Sequence, residues 1–270
     1  VLSCGLAVTL GLMNFVNLAH GAFAMAGGYV CAVLVNQSGW PFFAALPMAF
    51  LASALIGIIF ERGLYRHLYH RSHLDQVLFT IGLVFMSVAA VDFVMGSSRV
   101  FIKLPAALEG QIDVFGVGIG RYRLMIIVIC GLLTAGLQLV LARTRFGSRL
   151  RAAVDDPRAA GGLGINVPQV FAFTFAFGCG LAGLGGALSA EILGLDPYFP
   201  LKFMIYFLIV VTVGGSSSIT GPFLASLLLG IADVAGKYYL PKLGPFIIYA
   251  MMIAILIWRP NGLFGRTAAQ

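Results

Sequence analysis

Apolar runs dominate the chain, each long enough to be a whole structural element: residues 1–13, 19–35, 41–60, 76–95, 124–142, 168–193, a long stretch 203–235 interrupted at GGSSS, and 245–258. They are continuously apolar and rich in Ala, Gly and Leu, whereas the strands of a membrane barrel alternate polar and apolar residues over about ten positions. The runs therefore predict helices. A hydrocarbon core about 30 Å thick takes about 20 residues at about 1.5 Å of rise each. The pattern predicts an all-α, polytopic membrane protein with about eight to nine helical segments, broken or re-entrant helices among them, in a single transmembrane domain over residues 1–270. Residues 203–235 read either as one kinked crossing or as two. The first run is too short to span and opens on Val1 with no basic leader or cleavage pattern, so the expectation is a truncated first helix and not a signal peptide.

Composition agrees. Charged residues make up 10% of the chain and hydrophobic ones 60%, with a mean hydropathy of +0.99, where soluble domains carry about a quarter charged residues. Where the charges fall gives the orientation. Residues 61–75, ERGLYRHLYHRSHLD, hold Arg62, Arg66 and Arg71, and residues 143–167 hold Arg143, Arg145, Arg149, Arg151 and Arg158. The positive-inside rule puts both loops in the cytoplasm, and the two crossings between them agree. The loop 96–123 must then lie outside, although Arg99, Lys103, Arg121 and Arg123 outnumber Glu109 and Asp113 there. A net charge of +7 is accounted for by flanks facing anionic lipid and gives no reason to invoke nucleic acid.

The chain carries little that suggests chemistry on a bound substrate. Cys4, Cys31, Cys130 and Cys179 each lie alone in an apolar run and read as small packing residues. His67, His70 and His73 drift around a helix with no carboxylate or thiolate suitably spaced, so no metal site is expected. Walker-type, His-Glu-x-x-His and Gly-x-Ser-x-Gly elements are absent from the sequence, and no cofactor is expected.

Four stretches stand out from the apolar background. Asn14, Asn17 and His20 recur at three-residue intervals before a run of Ala and Gly; at membrane depth they must face a partner helix or a wet cavity, either capping the following helix or lining a path. In FGCGLAGLGGALSAE, Gly178, Ala182, Gly186 and Ala190 form a small-residue seam for close helix packing, with Gly183 and Ala187 beside it. The break GGSSSITGP, with Gly214, Gly215 and Ser216, is either a turn or an unwound helix whose free backbone groups hold an ion or an amino-acid head group. Finally, residues 148–160 within RTRFGSRLRAAVDDPRAAGGLGINVP suit a short amphipathic helix along the membrane, with Pro157 kinking it or starting a second turn, and Gly161, Gly162 and Gly164 as a flexible stop. This loop is either an interfacial anchor or a docking helix that offers a partner both signs of charge through Arg151, Asp155, Asp156 and Arg158.

The loop resembles the cytoplasmic loop of ABC importer permeases. The order of NFVNLAHGAFAMAGGY, ERGLYRHLYHR, TIGL at 80–83, RAAVDDPRAAGGLGINV, GGSSSITGPFLASLLLGIAD and RPNGLFGR resembles LivH-type branched-chain amino-acid permeases, with Ala22 where many relatives carry an acid. The resemblance implies a permease without ATPase activity of its own, in a bacterial inner membrane. Its implied partners are a second permease subunit, identical or sister, two cytoplasmic ABC ATPases, and a periplasmic or lipid-anchored binding protein. It also implies that residues 148–164 are the coupling helix, with Arg151, Asp155, Asp156, Arg158 and Gly164 at the ATPase, and that the polar positions Asn14, Asn17, His20, Gly214, Gly215 and Ser216 belong to the pathway. Branched-chain or related amino acids are the implied cargo, with urea or another small polar solute as the alternative. An ion-coupled secondary transporter is the weaker alternative, because Asp92, Glu191 and Asp233 lie near span ends.

Overall fold

The computed structural model describes residues 1–9, 17–69, 71–114, 117–215 and 220–264. Its elements are α1 (Leu2–Ala7), α2 (His20–Asn36), α3 (Phe42–Gly63), α4 (His73–Met95), a hairpin of β1 (Gln111–Val114) and β2 (Val117–Gly120), α5 (Arg121–Arg143), α6 (Arg145–Asp155), α7 (Pro157–Gly162), α8 (Val167–Leu193), α9 (Phe199–Gly214), α10 (Thr220–Tyr239) and α11 (Gly244–Trp258). Helices α3, α4, α5 and α8 are long and apolar enough to cross a membrane, and α2 and α9 are shorter apolar helices. Setting aside the short α6 and α7 of the polar loop, this gives eight long helices and the half-helix α1, as the apolar runs predict. Residues 203–235 fall in two helices, α9 and α10, which pack together through Ile209, Val210 and Val213 against Ala225 and Leu229. The two-stranded hairpin in the loop before α5 is the one element of a kind the apolar pattern does not signal.

Helix α8 is the centre of the bundle because its small residues let three neighbours reach its backbone. A Cβ on Gly186 would fall 1.9 Å from the Ala24 carbonyl oxygen of α2, and one on Gly183 2.0 Å from Ser53 Oγ of α3. On the α1 side, a Cβ on Gly5 would sit 2.8 Å from the Gly178 carbonyl oxygen. The seam is thus a set of three separate contacts around one helix. Each replaces lipid by close van der Waals packing, the main source of helix association in a bilayer. Helices α4 and α5 are equally apolar but peripheral, with only 17% and 11% of their apolar windows covered by the rest of the chain.

Loop positions define two faces. The end of α3 and the start of α8 share one cleft, which puts the two basic loops on the same side, as their charge predicts. On the other face, Asn36 at the end of α2 holds residues 101–103, donating to the Phe101 carbonyl at 2.8 Å and accepting from the Lys103 amide at 3.0 Å. Val100 pairs with Leu195 on that same face. From Leu195 the chain turns back into the bundle: Leu195 lies against Gly28, and Pro200 against Gly21. Seven residues of helix separate those two glycines, so the segment descends about 10 Å along α2 before α9 is under way. This is the re-entrant feature among the described residues.

Candidate functional site

The loop after α5 is folded as an elbow, not as one helix over 148–164. Leu150 and Ala153 of α6 are buried against Val170 of α8, with Leu141, Phe146 and Ile165 around them. A Cβ at Gly147 would stand 2.0 Å from the Leu141 carbonyl oxygen, so only glycine lets α6 turn this tightly off the end of α5. Arg151 Nη1 donates to the same Leu141 carbonyl at 2.6 Å, tying the elbow to the exposed end of α5. Pro157 starts the second helix. Asp156 caps it, its Oδ1 accepting from the Arg158 and Ala159 amides at 2.9 and 3.0 Å. Gly161 and Gly162 belong to α7, and the stop is Gly164 alone, at φ +83°. Gly164 N–H donates to the Gly161 carbonyl and Ile165 N–H to the Ala160 carbonyl, a Schellman closure that requires this left-handed residue. Of the charged residues expected to dock, Arg151, Asp156 and the backbone at Gly164 therefore shape the elbow. Asp155 and Arg158 stand exposed, with no ion-pair partner among the described residues.

The polar positions at the start of α2 do point inward. Asn17 is not the cap of α2: that position is Ala19, with no side-chain bond. Instead Asn17 Oδ1 accepts from the Tyr65 hydroxyl at 3.3 Å, while its amide nitrogen is buried without a partner. His20 is 1% exposed, and its Nε2 lies 3.0 Å from the Leu2 carbonyl oxygen. A carbonyl can only accept, so the ring proton is on Nε2 and Nδ1 is a bare, buried acceptor. Asn14 lies outside the described residues, as do Ser216 and His70.

The break in the long apolar stretch is a tight corner. A Cβ at Gly214 would meet the Pro222 nitrogen at 2.4 Å, and Gly215 sits at φ +86°. The tail of the chain seats on this corner: Leu263 N–H donates to the Val213 carbonyl at 2.8 Å and Phe264 N–H to the Gly214 carbonyl at 3.3 Å. Gly262 comes so close that a Cβ there would be 2.6 Å from both the Gly215 nitrogen and the Thr212 carbonyl oxygen. The motifs GGSSS and RPNGLFGR are thus two halves of one contact, and in this conformation the carbonyls at the end of α9 are already engaged.

Sequence reasoning passed over two groups. Glu61, Tyr65 and Tyr69 were hidden inside a stretch read only as a basic loop, although their spacing of four is a helical signal. Glu61 is 3% exposed and accepts from the Tyr69 hydroxyl at 3.2 Å. Burial, with Glu61 alongside, pushes the Tyr69 hydroxyl far above its ordinary pKa, and burial does the same for Tyr65, so both remain protonated donors. Glu61 and Tyr69 line a cleft of about 720 Å³, closed on its other side by Pro157 and the first turn of α8. The second group is Asp196 on the re-entrant segment. It accepts from the Tyr198 amide at 3.0 Å, pairs with Lys202, and has Arg99 Nε at 3.7 Å. Among the described residues there is no group of three or more His, Cys, Asp or Glu able to hold a metal ion.

Comparison with known proteins adds the following. The family described as branched-chain amino acid transport system / permease component matches residues 1–256. The high-affinity branched-chain amino acid transport system permease protein LivH of Escherichia coli is 27% identical over 285 residues, covering 100% of this chain and 92% of LivH. BraD, the protein of the same description in Pseudomonas aeruginosa, is 28% identical over 283 residues, with 100% and 92% covered. The permease protein LivM of Salmonella typhimurium is 26% identical over 297 residues, covering 100% of this chain and 68% of LivM. No solved structure matches the chain.

Proposed function

From the premise that this chain belongs to the family of branched-chain amino acid transport system permease components, we propose that it forms, with a second permease subunit, the pathway of an ATP-driven importer for branched-chain or related amino acids. The observation that carries the reading is the α6–α7 elbow. It is fastened to α5 by Arg151 and Gly147 and to α8 by the apolar contacts of Leu150 and Ala153, yet its outer side, with Asp155 and Arg158, is open. A force applied to that side reaches two long helices at once. The sequence holds no nucleotide-binding loop, so the energy comes from two cytoplasmic ABC ATPases that receive the elbow. A binding protein delivers the amino acid on the opposite face, and the membrane is the bacterial inner membrane. That both LivH-named and LivM-named proteins resemble the chain over its full length supports a sister subunit as the second permease.

ATP binding would close the ATPase pair, shift the elbows and change which face the pathway opens to, a two-state switch biased by a ligand with different affinity for the two states. Asn17 and His20, with their bare polar atoms inside the bundle, are the pathway residues of this scheme. Gly214 and Gly215 serve it as the tail-anchored corner that lets α9 and α10 move as a pair. The test is reconstitution of the chain with its sister subunit, ATPases and binding protein. ATP inside the vesicles or an equivalent supply should drive accumulation of labelled leucine. Uptake that persists without ATP and follows an imposed ion gradient would overturn the reading.

A further inference from the structure

We propose that the cleft between the α3 end and the α7–α8 junction is a binding site for a free amino acid with an apolar side chain, entered from the cytoplasm, through which imported product restrains the elbow. The inference rests on the reading above that amino acids are the cargo. Three kinds of chemistry meet in this one cleft of about 720 Å³, within the range of about 300 to 1,000 Å³ typical of small-molecule sites. Glu61 offers a buried carboxylate for an α-ammonium group. Arg62 and Arg66 offer guanidinium groups for an α-carboxylate, which a planar fork can hold through two parallel hydrogen bonds. Val167, Pro168 and Phe171 supply an apolar wall for the side chain.

The set of charges selects the ligand class. A phosphate or an anionic lipid head group would be drawn by Arg62 and Arg66 but repelled by Glu61, which the cleft buries beside them. A zwitterion satisfies both signs. Tyr69 fixes the carboxylate, its hydroxyl donating to Glu61 while its ring packs edge-on against Phe171 at 5.7 Å between centroids. Behind this floor, Tyr65 is fully buried with its ring against Phe175 and Phe79, so a ligand in the cleft is cut off from Asn17 and His20. The site is therefore one of the cytoplasmic face in this conformation. Pro157, the first residue of α7, is part of its wall. A ligand bridging Arg66 and α8 stabilises the present seating of α7, and differential affinity for one seating is all that coupling to the elbow requires.

Two measurements test this on the full assembly with its sister subunit and ATPases. In phosphatidylcholine nanodiscs without binding protein, labelled leucine should bind saturably, and Arg66→Gln should weaken it about tenfold, the loss expected for one charge-assisted hydrogen bond. Arg66 is exposed, so this variant keeps its fold; Glu61→Gln, at a buried position, is the second variant and should weaken binding likewise. In vesicles that place the cytoplasmic face in the lumen, the ratio of ATP turnover with leucine inside to turnover without it should fall well below one for the wild type and return towards one for Arg66→Gln. Leucine uptake with no leucine binding, equal binding by Arg66→Gln, or a wild-type ratio of one overturns the site. Leucine binding displaced by phosphatidylglycerol in the nanodisc makes the occupant a lipid head group and also overturns it. Leucine binding without any ATP-driven uptake leaves the cleft standing and overturns the importer reading instead.

Discussion

Asp156 and Gly164 show how much of the elbow depends on single atoms. The Asp156 carboxylate satisfies two amides at the start of α7, and Gly164 closes its end in a left-handed conformation. Asp156→Ala should cost about 1 kcal/mol of local stability and Asp156→Asn only a few tenths, because Asn can still accept the capping bond. Limited proteolysis at the loop reads the difference: faster cleavage in the alanine variant alone is the expected outcome, and equal cleavage in both would assign the effect to charge. The same logic separates the two neighbouring aspartates, which are indistinguishable in the sequence. Their roles diverge because Pro157 forces a helix start, and the residue before a helix start is the one whose side chain can cap.

At the scale of elements, the helices were legible and their cross-links were not. Continuous apolar runs give α2 to α5, α8 and α11 within a few residues, since burial in lipid and helical hydrogen bonding make the same demand on the same stretch. The small-residue seam was legible as well, because close packing needs Gly and Ala at helical spacing. What the sequence could not show is pairing over distance. Asn17 bonds Tyr65, the tail at Leu263 bonds the end of α9, and Arg99 reaches Asp196; each joins residues whose own neighbourhoods give no hint of the partner. Two predictions belong here. Asp155→Arg with Arg158→Glu changes only the open side of the elbow, so the permease should insert and fold normally while losing most of its affinity for the ATPase, more than the ~1 kcal/mol of one exposed pair. Pull-down of the ATPase at wild-type yield would leave these residues as solvated charges. Gly262→Val, strained at φ +80° and too bulky for the α9 corner, should release the tail and lower thermal stability by about 1 to 3 kcal/mol. A calorimetric or fluorescence melt in detergent measures it.

Viewed as a whole molecule, the bundle is fastened at both ends around the buried polar atoms of Asn17 and His20. On one face, Arg99 and Lys202 hold Asp196 on the re-entrant segment that leads into α9. On the other, Tyr65 stands between the cytoplasmic cleft and Asn17, its ring 4.7 Å from that of Phe175 and its hydroxyl on the asparagine. An alternating-access device needs a barrier on each side that yields without unfolding the protein, and these two differ in kind. The outer one is electrostatic and partly exposed, so it weakens with salt. The inner one is an aromatic wedge, insensitive to salt, which yields only by moving the corner between α3 and α4 or the first turns of α8. Replacing the wedge should therefore open the inner side selectively. With cysteine placed at Asn17, a membrane-impermeant thiol reagent applied from the cytoplasm should react slowly when Tyr65 is present and at least about tenfold faster in Tyr65→Ala, since the cleft would then continue to residue 17. Tyr65→Phe removes the hydrogen bond but keeps the ring, so its labelling should stay near the slow rate. The alanine variant loses a fully buried aromatic side chain and should also be less stable, by about 3 to 5 kcal/mol, so the comparison is made well below its melting point. Native Cys4, Cys31 and Cys179 are buried and supply little background. If Tyr65→Ala and the wild-type background label at the same rate, the inner barrier lies elsewhere, and the aromatic cluster of Tyr65, Phe79 and Phe175 is packing alone.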